Sequence, residues 1–73
     1  MPPIPVIASK PNDPVMFTPP GGKEDVYVMM IVDPVNQIFQ GIKVADKSPI
    51  TFTPADIVYL IEVPALGPVL LAL

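Results

Sequence analysis

The sequence predicts an all-β (mainly β) domain: a small antiparallel meander, sandwich or barrel of about four to six short strands, with extended N- and C-terminal arms. Three observations carry that expectation. Asp25–Val32 is an unbroken β-branched and aromatic run, Asp-Val-Tyr-Val-Met-Met-Ile-Val, bounded by turn residues. A second run, Gln37–Val44, follows Asp33-Pro34-Val35-Asn36, where Pro at the second position suits a tight turn. The 12 prolines stand between apolar runs rather than in a polar tract, so they punctuate strands and exclude long helices.

Three segments are expected: a proline-rich N-terminal arm at 1–22, a β-sheet core at 23–63, and an apolar C-terminal arm or strand at 64–73. In the first, Pro2, Pro3, Pro5, Pro11, Pro14, Pro19 and Pro20 precede Gly21-Gly22. Proline lacks an N–H and biases its predecessor to extended geometry, which rules out a continuous central strand or helix. Short extended pieces remain at Ile4–Ala8 and Val15–Thr18, edge fragments that gain order by lying against another surface. Gly21-Gly22-Lys23 lacks the outer glycine and following helix of a phosphate-binding loop and reads as a hinge between arm and sheet.

Within Asp25–Val32, Val26, Val28, Met30 and Val32 share one face and Tyr27, Met29 and Ile31 the other. A strand with one wet face alternates apolar with polar residues, and this one does not, so burial on both faces is expected. In the following turn Asp33 is the capping residue and Asn36 the one suited to the left-handed region. Gln37–Val44 then pairs back as an antiparallel hairpin, with Ile38, Gln40, Ile42 and Val44 on one face and Phe39, Gly41 and Lys43 on the other. Ala45-Asp46-Lys47-Ser48 is a solvated turn, and Ile50–Thr53 completes a meander.

Thr53-Pro54-Ala55-Asp56 has the residue types of a helix start, yet Ile57–Val63 is rich in β-formers and Pro64 leaves little room. One helical turn at Pro54–Ile57 leading into a strand is expected, with a short helix as the alternative. No charge follows Glu62. That residue reads as solvent-facing or lysine-paired, or else as a charge that sets register between subunits.

Size and composition bear on function. Chains of 73 residues bury only ~60% of the surface their unfolded form exposes. With no Cys and no His, and with carboxylates scattered, disulfides and a structural zinc are excluded, which leaves oligomerisation. Hydrophobic residues make up 51% and charged residues 15%, too few to coat a small globule. The net charge of -3 and the absence of arginine argue against nucleic acid as a partner. Ser-His-Asp and Cys-His chemistry is impossible, and Lys47-Ser48 reads as a polar turn rather than a catalytic pair, so neither an enzyme nor a cofactor is expected.

Met1-Pro2-Pro3-Ile4-Pro5 lacks the basic and apolar regions of a signal peptide. Ile57–Leu73 falls short of the ~20 residues of a spanning helix and is broken by Pro64, Gly67 and Pro68, so no membrane span is expected.

What remains is an interface. Val26, Val28, Met29, Met30, Ile31, Phe39, Ile57, Tyr59, Leu60, Val69, Leu70 and Leu71 are the expected contact residues of a homo-oligomer, a trimer favoured, or of a larger protein assembly. In composition and layout the chain is similar to decoration or minor structural proteins of phage capsids and tails, and to filament subunits. That likeness, of composition and layout only, implies a structural assembly protein, with a virion as one setting. A small binding module, with an apolar groove for a peptide, lipid or protein, is the alternative.

Overall fold

Asp25–Asp33 forms the longest strand, and Ile38–Lys43 pairs with it antiparallel across the turn at 34–37. The computed structural model describes residues 2–61 and builds them into one antiparallel sheet. Its strands are β1 (Pro3–Pro5), β2 (Pro14–Phe17), β3 (Asp25–Asp33), β4 (Ile38–Lys43), β5 (Pro49–Phe52) and β6 (Ile57–Leu60), with a single 3-10 turn at Val6–Ala8. They stand in the order β1-β6-β2-β3-β4-β5. The expected C-terminal arm, with Val69, Leu70 and Leu71, and also Glu62, lie outside the described residues.

β3 does not keep a single alternation. Met29 stands opposite Gly41, but Ile31 stands opposite Gln40, so Met30 and Ile31 together face one residue of β4. Such a two-against-one bulge turns both extra side chains the same way and re-phases the strand beyond it. Tyr27 and Met29 point into the core, Met30 and Ile31 point out, and Val32 returns inward. The expected burial of β3 on both faces is therefore corrected: Met30 is 45% exposed and Ile31 44%.

The turn chemistry explains the ends. The Asp33 carboxylate accepts from the Val35 and Asn36 N–H groups, both at 3.1 Å, and from the Asn36 side-chain amide at 2.8 Å. The left-handed residue is Gln37 (φ 57°) rather than Asn36, so β4 begins one residue later than expected. Between β4 and β5, Asp46 accepts from the N–H and hydroxyl of Ser48, and Lys47 takes the left-handed position.

Residues 53–56, which join β5 to β6, decide the sheet's shape. No helical turn forms there: the Asp56 N–H donates to the Thr53 carbonyl and the Asp56 carboxylate accepts from the Thr53 N–H at 2.9 Å, closing a β-turn. Half of the expected cap forms without a helix, because Ile57 pairs at once with Pro5. In a flat sheet β5 and β6 would be roughly 19 Å apart at about 4.8 Å per strand. A tight turn cannot span that, so the sheet curls into a partly open barrel.

The curl encloses the core. Val6, Val15, Phe17, Tyr27, Met29, Phe39, Phe52 and Val58 are its buried members, with Ile4, Val32, Ile50 and Leu60 packed around them. The N-terminal segment is part of this sheet. β2 lies between β6 and β3, and β1 adds to β6, so the fragments expected to lie against another surface lie against the chain's own strands. Gly21 (φ 73°) closes the turn of Pro19-Pro20-Gly21-Gly22, where the Gly22 N–H donates to the Pro19 carbonyl. That turn belongs to the β2–β3 hairpin and is no hinge to an arm.

Candidate functional site

Once the inward side chains are assigned to the core, the alternation of each strand defines an outer surface. On β1, β6, β2 and the first half of β3 the outward positions are Pro3 and Pro5, Ile57 and Tyr59, Pro14 and Met16, and Val26 and Val28, of which Pro14 and Val28 are buried and the other six reach solvent. The register sets Pro3, Tyr59, Met16 and Val26 in one row across four strands. This face carries no charged residue, and its polar side-chain atom is the Tyr59 hydroxyl. On the other side of the curl, β4, β5 and the second half of β3 present Met30, Ile31, Ile38 and Ile42 interspersed with Gln40 and Thr51.

The expected contact residues divide accordingly. Met29 (0% exposed) and Phe39 belong to the chain's own core and are not available to a partner, and Leu60 is partly buried against that core. The expectation is corrected for these residues, because inward positions look no different in sequence from outward ones when both are apolar. Val28, which stands between Pro14 and Ile42 in the register, alternates outward but is buried, 3% exposed. Val26, Met30, Ile31, Ile57 and Tyr59 reach the surface. Met16 was missed, although its place between the buried Val15 and Phe17 marks it as outward.

Among the described residues charge is confined to turns and strand ends. Lys10, Asp13, Lys23, Glu24, Asp46, Lys47 and Asp56 sit in connections, while Asp25, Asp33 and Lys43 are terminal strand residues. Lys43 pairs with Asp25 at 3.3 Å. The Val26 N–H, and after it Lys43, hold the Asp25 carboxyl below its ordinary value, and Asp25 in turn raises Lys43. The Asn36 amide lowers Asp33, and the Ser48 hydroxyl lowers Asp46. Asp33 and Asp46 thus hold turns, and Asp25 is engaged by the Val26 N–H and by Lys43. Ser9 is likewise structural, its buried hydroxyl donating to the Val6 carbonyl at 2.6 Å.

Among the described residues no group of three or more acidic, His or Cys side chains is placed to hold a metal ion. No helix among them is long and apolar enough to cross a membrane.

The sheet edges are closed by proline. The Val6 N–H donates to the Asp56 carbonyl at 2.8 Å, so by alternation Ile4 also faces β6 and Pro3 and Pro5 face outward, where neither has a donor. On β5, the Lys43 N–H donates to the Ser48 carbonyl, which sets Ile50 and Phe52 toward β4 and Pro49, Thr51 and Thr53 outward. Pro49 has no N–H and that of Thr53 is taken by Asp56, leaving Thr51 as the outward donor. Edges so blunted resist strand addition.

No family model matches the sequence, and neither the search of curated proteins nor that of solved structures finds a significant match.

Proposed function

We propose that the chain is a non-enzymatic structural module that associates with copies of itself through the outer surface of its curled sheet. The observation that carries this reading is the β1-β6-β2 face, where every outward position from Pro3 to Val26 is apolar and charge is kept to the rim. An antiparallel sheet with a wet outer side alternates apolar and polar residues, and a contiguous apolar patch on a small domain marks a contact surface. The likeness in layout to phage decoration proteins supplies the setting proposed for the assembly, a virion or a comparable protein lattice.

Sedimentation equilibrium on the full chain, from low micromolar to millimolar concentration, tests the reading. Mass should rise with concentration. A dispersed monomer over the whole range would overturn self-association and favour the binding module, with the same face turned to a different partner.

A further inference from the structure

We infer that the β1-β6-β2 face pairs with the same face of a second copy about a two-fold axis passing near Met16 and Tyr59. This deepens the self-association reading and rests on it.

Four features point to that occupant. The edges lack donors at Pro3, Pro5 and Pro49 and keep Thr51 as the outward donor of β5, so joining two copies by extending one sheet is disfavoured and contact face to face is favoured. The face holds no charge, so two chains of net charge -3 can meet there without opposing like charges. A face so uniform offers a different protein little to discriminate, and its own copy is a surface of matching chemistry at equal concentration. Finally, a two-fold pair uses one patch twice, whereas the trimer expected from composition needs two different patches that fit each other. The mixed surface at Ile31, Gln40 and Thr51 is a poor complement to the apolar one.

Area sets the strength. Four strands of three or four residues offer on the order of 400–500 Å² per partner, about half of a standard interface. The pair is therefore weak, exchanging, and populated at high local concentration, as inside a larger assembly.

The test uses the full chain, whose lack of cysteine makes single-cysteine variants clean reporters. Ile57→Asp and Tyr59→Asp replace side chains that are 49% and 40% exposed, so the β-sheet circular dichroism should be kept while the dimer dissociation constant rises about tenfold or more. Ile31→Asp, on the mixed surface, should leave it unchanged. Sheets packed face to face lie about 10 Å apart, so a bis-maleimide of that span should join Met16→Cys chains into dimers, and Ile31→Cys chains far less.

Unchanged association in the Ile57 and Tyr59 variants, or cross-linking at residue 31 instead of 16, overturns this inference and leaves self-association standing. A wild-type chain that stays monomeric overturns both. Loss of cross-linking at residue 16 together with protection of that cysteine in a monomer assigns the face to residues 62–73 of the same chain and also overturns it.

Discussion

Phe17 and Phe52 meet edge to face with ring centroids 4.9 Å apart, although their strands stand three places apart in the sheet order. A flat sheet would hold them roughly 14 Å apart. Tyr27 adds a third ring at 6.2 Å from Phe17 and 6.1 Å from Phe52, so one aromatic cluster clamps the two ends of the meander across the core. Phe52→Ala should cost ~3–5 kcal/mol, comparable with the whole stability of a domain this small. The milder pair Phe17→Leu and Phe52→Leu should show a coupling of about 0.5–1.5 kcal/mol in urea unfolding. Additive effects would mean that the rings do not hold the curl.

Met29 and Met30 are neighbours in sequence with opposite fates, fully buried and half exposed. Met29→Asp places an unpaired charge in the core and should abolish the cooperative unfolding transition. Met30→Asp places it in solvent at the bulge and should change stability by only about 0.5 kcal/mol. Circular dichroism and thermal melts of the two variants check this. Equal damage from both would put Met30 in the core and remove the bulge.

The β3–β4–β5 meander was legible because each of its turns carries its own chemistry, Asp33-Pro34 at one end and Asp46-Lys47-Ser48 at the other. The bulge was not. Nothing in Met-Met-Ile marks an extra residue, since it exists only against Gln40 on the partner strand. The place of β6 between β1 and β2 was equally hidden, because local pattern reports that a strand forms and not which distant strand it meets. In sequence, the prolines of residues 1–22 mark an arm. The structure uses Pro3 and Pro5 at an edge that needs no donors, and admits Pro14 at the first position of β2. Of the candidate face, the sequence singles out Val26, Ile57 and Tyr59 without separating them from the inward Met29 and Phe39, and it does not single out Pro3, Pro5 or Met16.

Gly41 is the strand residue whose lack of a side chain is structural. A Cβ there would sit 2.8 Å from the Val28 carbonyl oxygen and 3.2 Å from the Phe52 ring. The carbonyl belongs to the adjacent strand and cannot yield cheaply. Gly41→Ala should therefore destabilise by about 1–3 kcal/mol despite the better intrinsic propensity of alanine. Gly22→Ala, whose Cβ would meet only Pro19 at 3.4 Å, is the contrasting substitution and should be far milder in the same denaturation assay.

Three exposed carboxylates make the fold acid-sensitive. Asp25, Asp33 and Asp46 are each held below the ordinary value of 3.8 by hydrogen bonds to the Val26 N–H, the Asn36 amide and the Ser48 hydroxyl. A carboxyl with a lowered folded value stabilises the protein fully above its unfolded value, and that stabilisation is lost as pH falls through the folded one. The urea midpoint should stay flat from neutral pH down to about 5 and decline below about 4. Asp33→Asn should make the acid decline shallower. An unchanged acid limb would show that the Asp33 turn contributes nothing to it. Lys43, raised by Asp25, acts at the opposite end, and its contribution is lost as pH rises through its raised value.

If Pro3 and Pro5 close the edge of β1, returning their N–H groups should open it. The Pro3→Ala, Pro5→Ala double variant keeps the pairing with Tyr59 and Ile57, since the missing donors point away from β6. Each change loosens the unfolded chain, at about 0.4–1 kcal/mol where the proline was unstrained. The Pro11→Ala, Pro20→Ala double variant, at two exposed turn positions, also removes two prolines without touching an edge and serves as the matched control. Alanine is a better strand former than proline, so the control, with the same exchange away from the edge, is what separates the donor from propensity. The edge variant should form thioflavin-positive aggregates faster than the control at equal stability, because a row of outward donors is what a second strand needs. Equal aggregation of the two would mean that proline at this edge serves the chain's own stiffness rather than its separation from other copies.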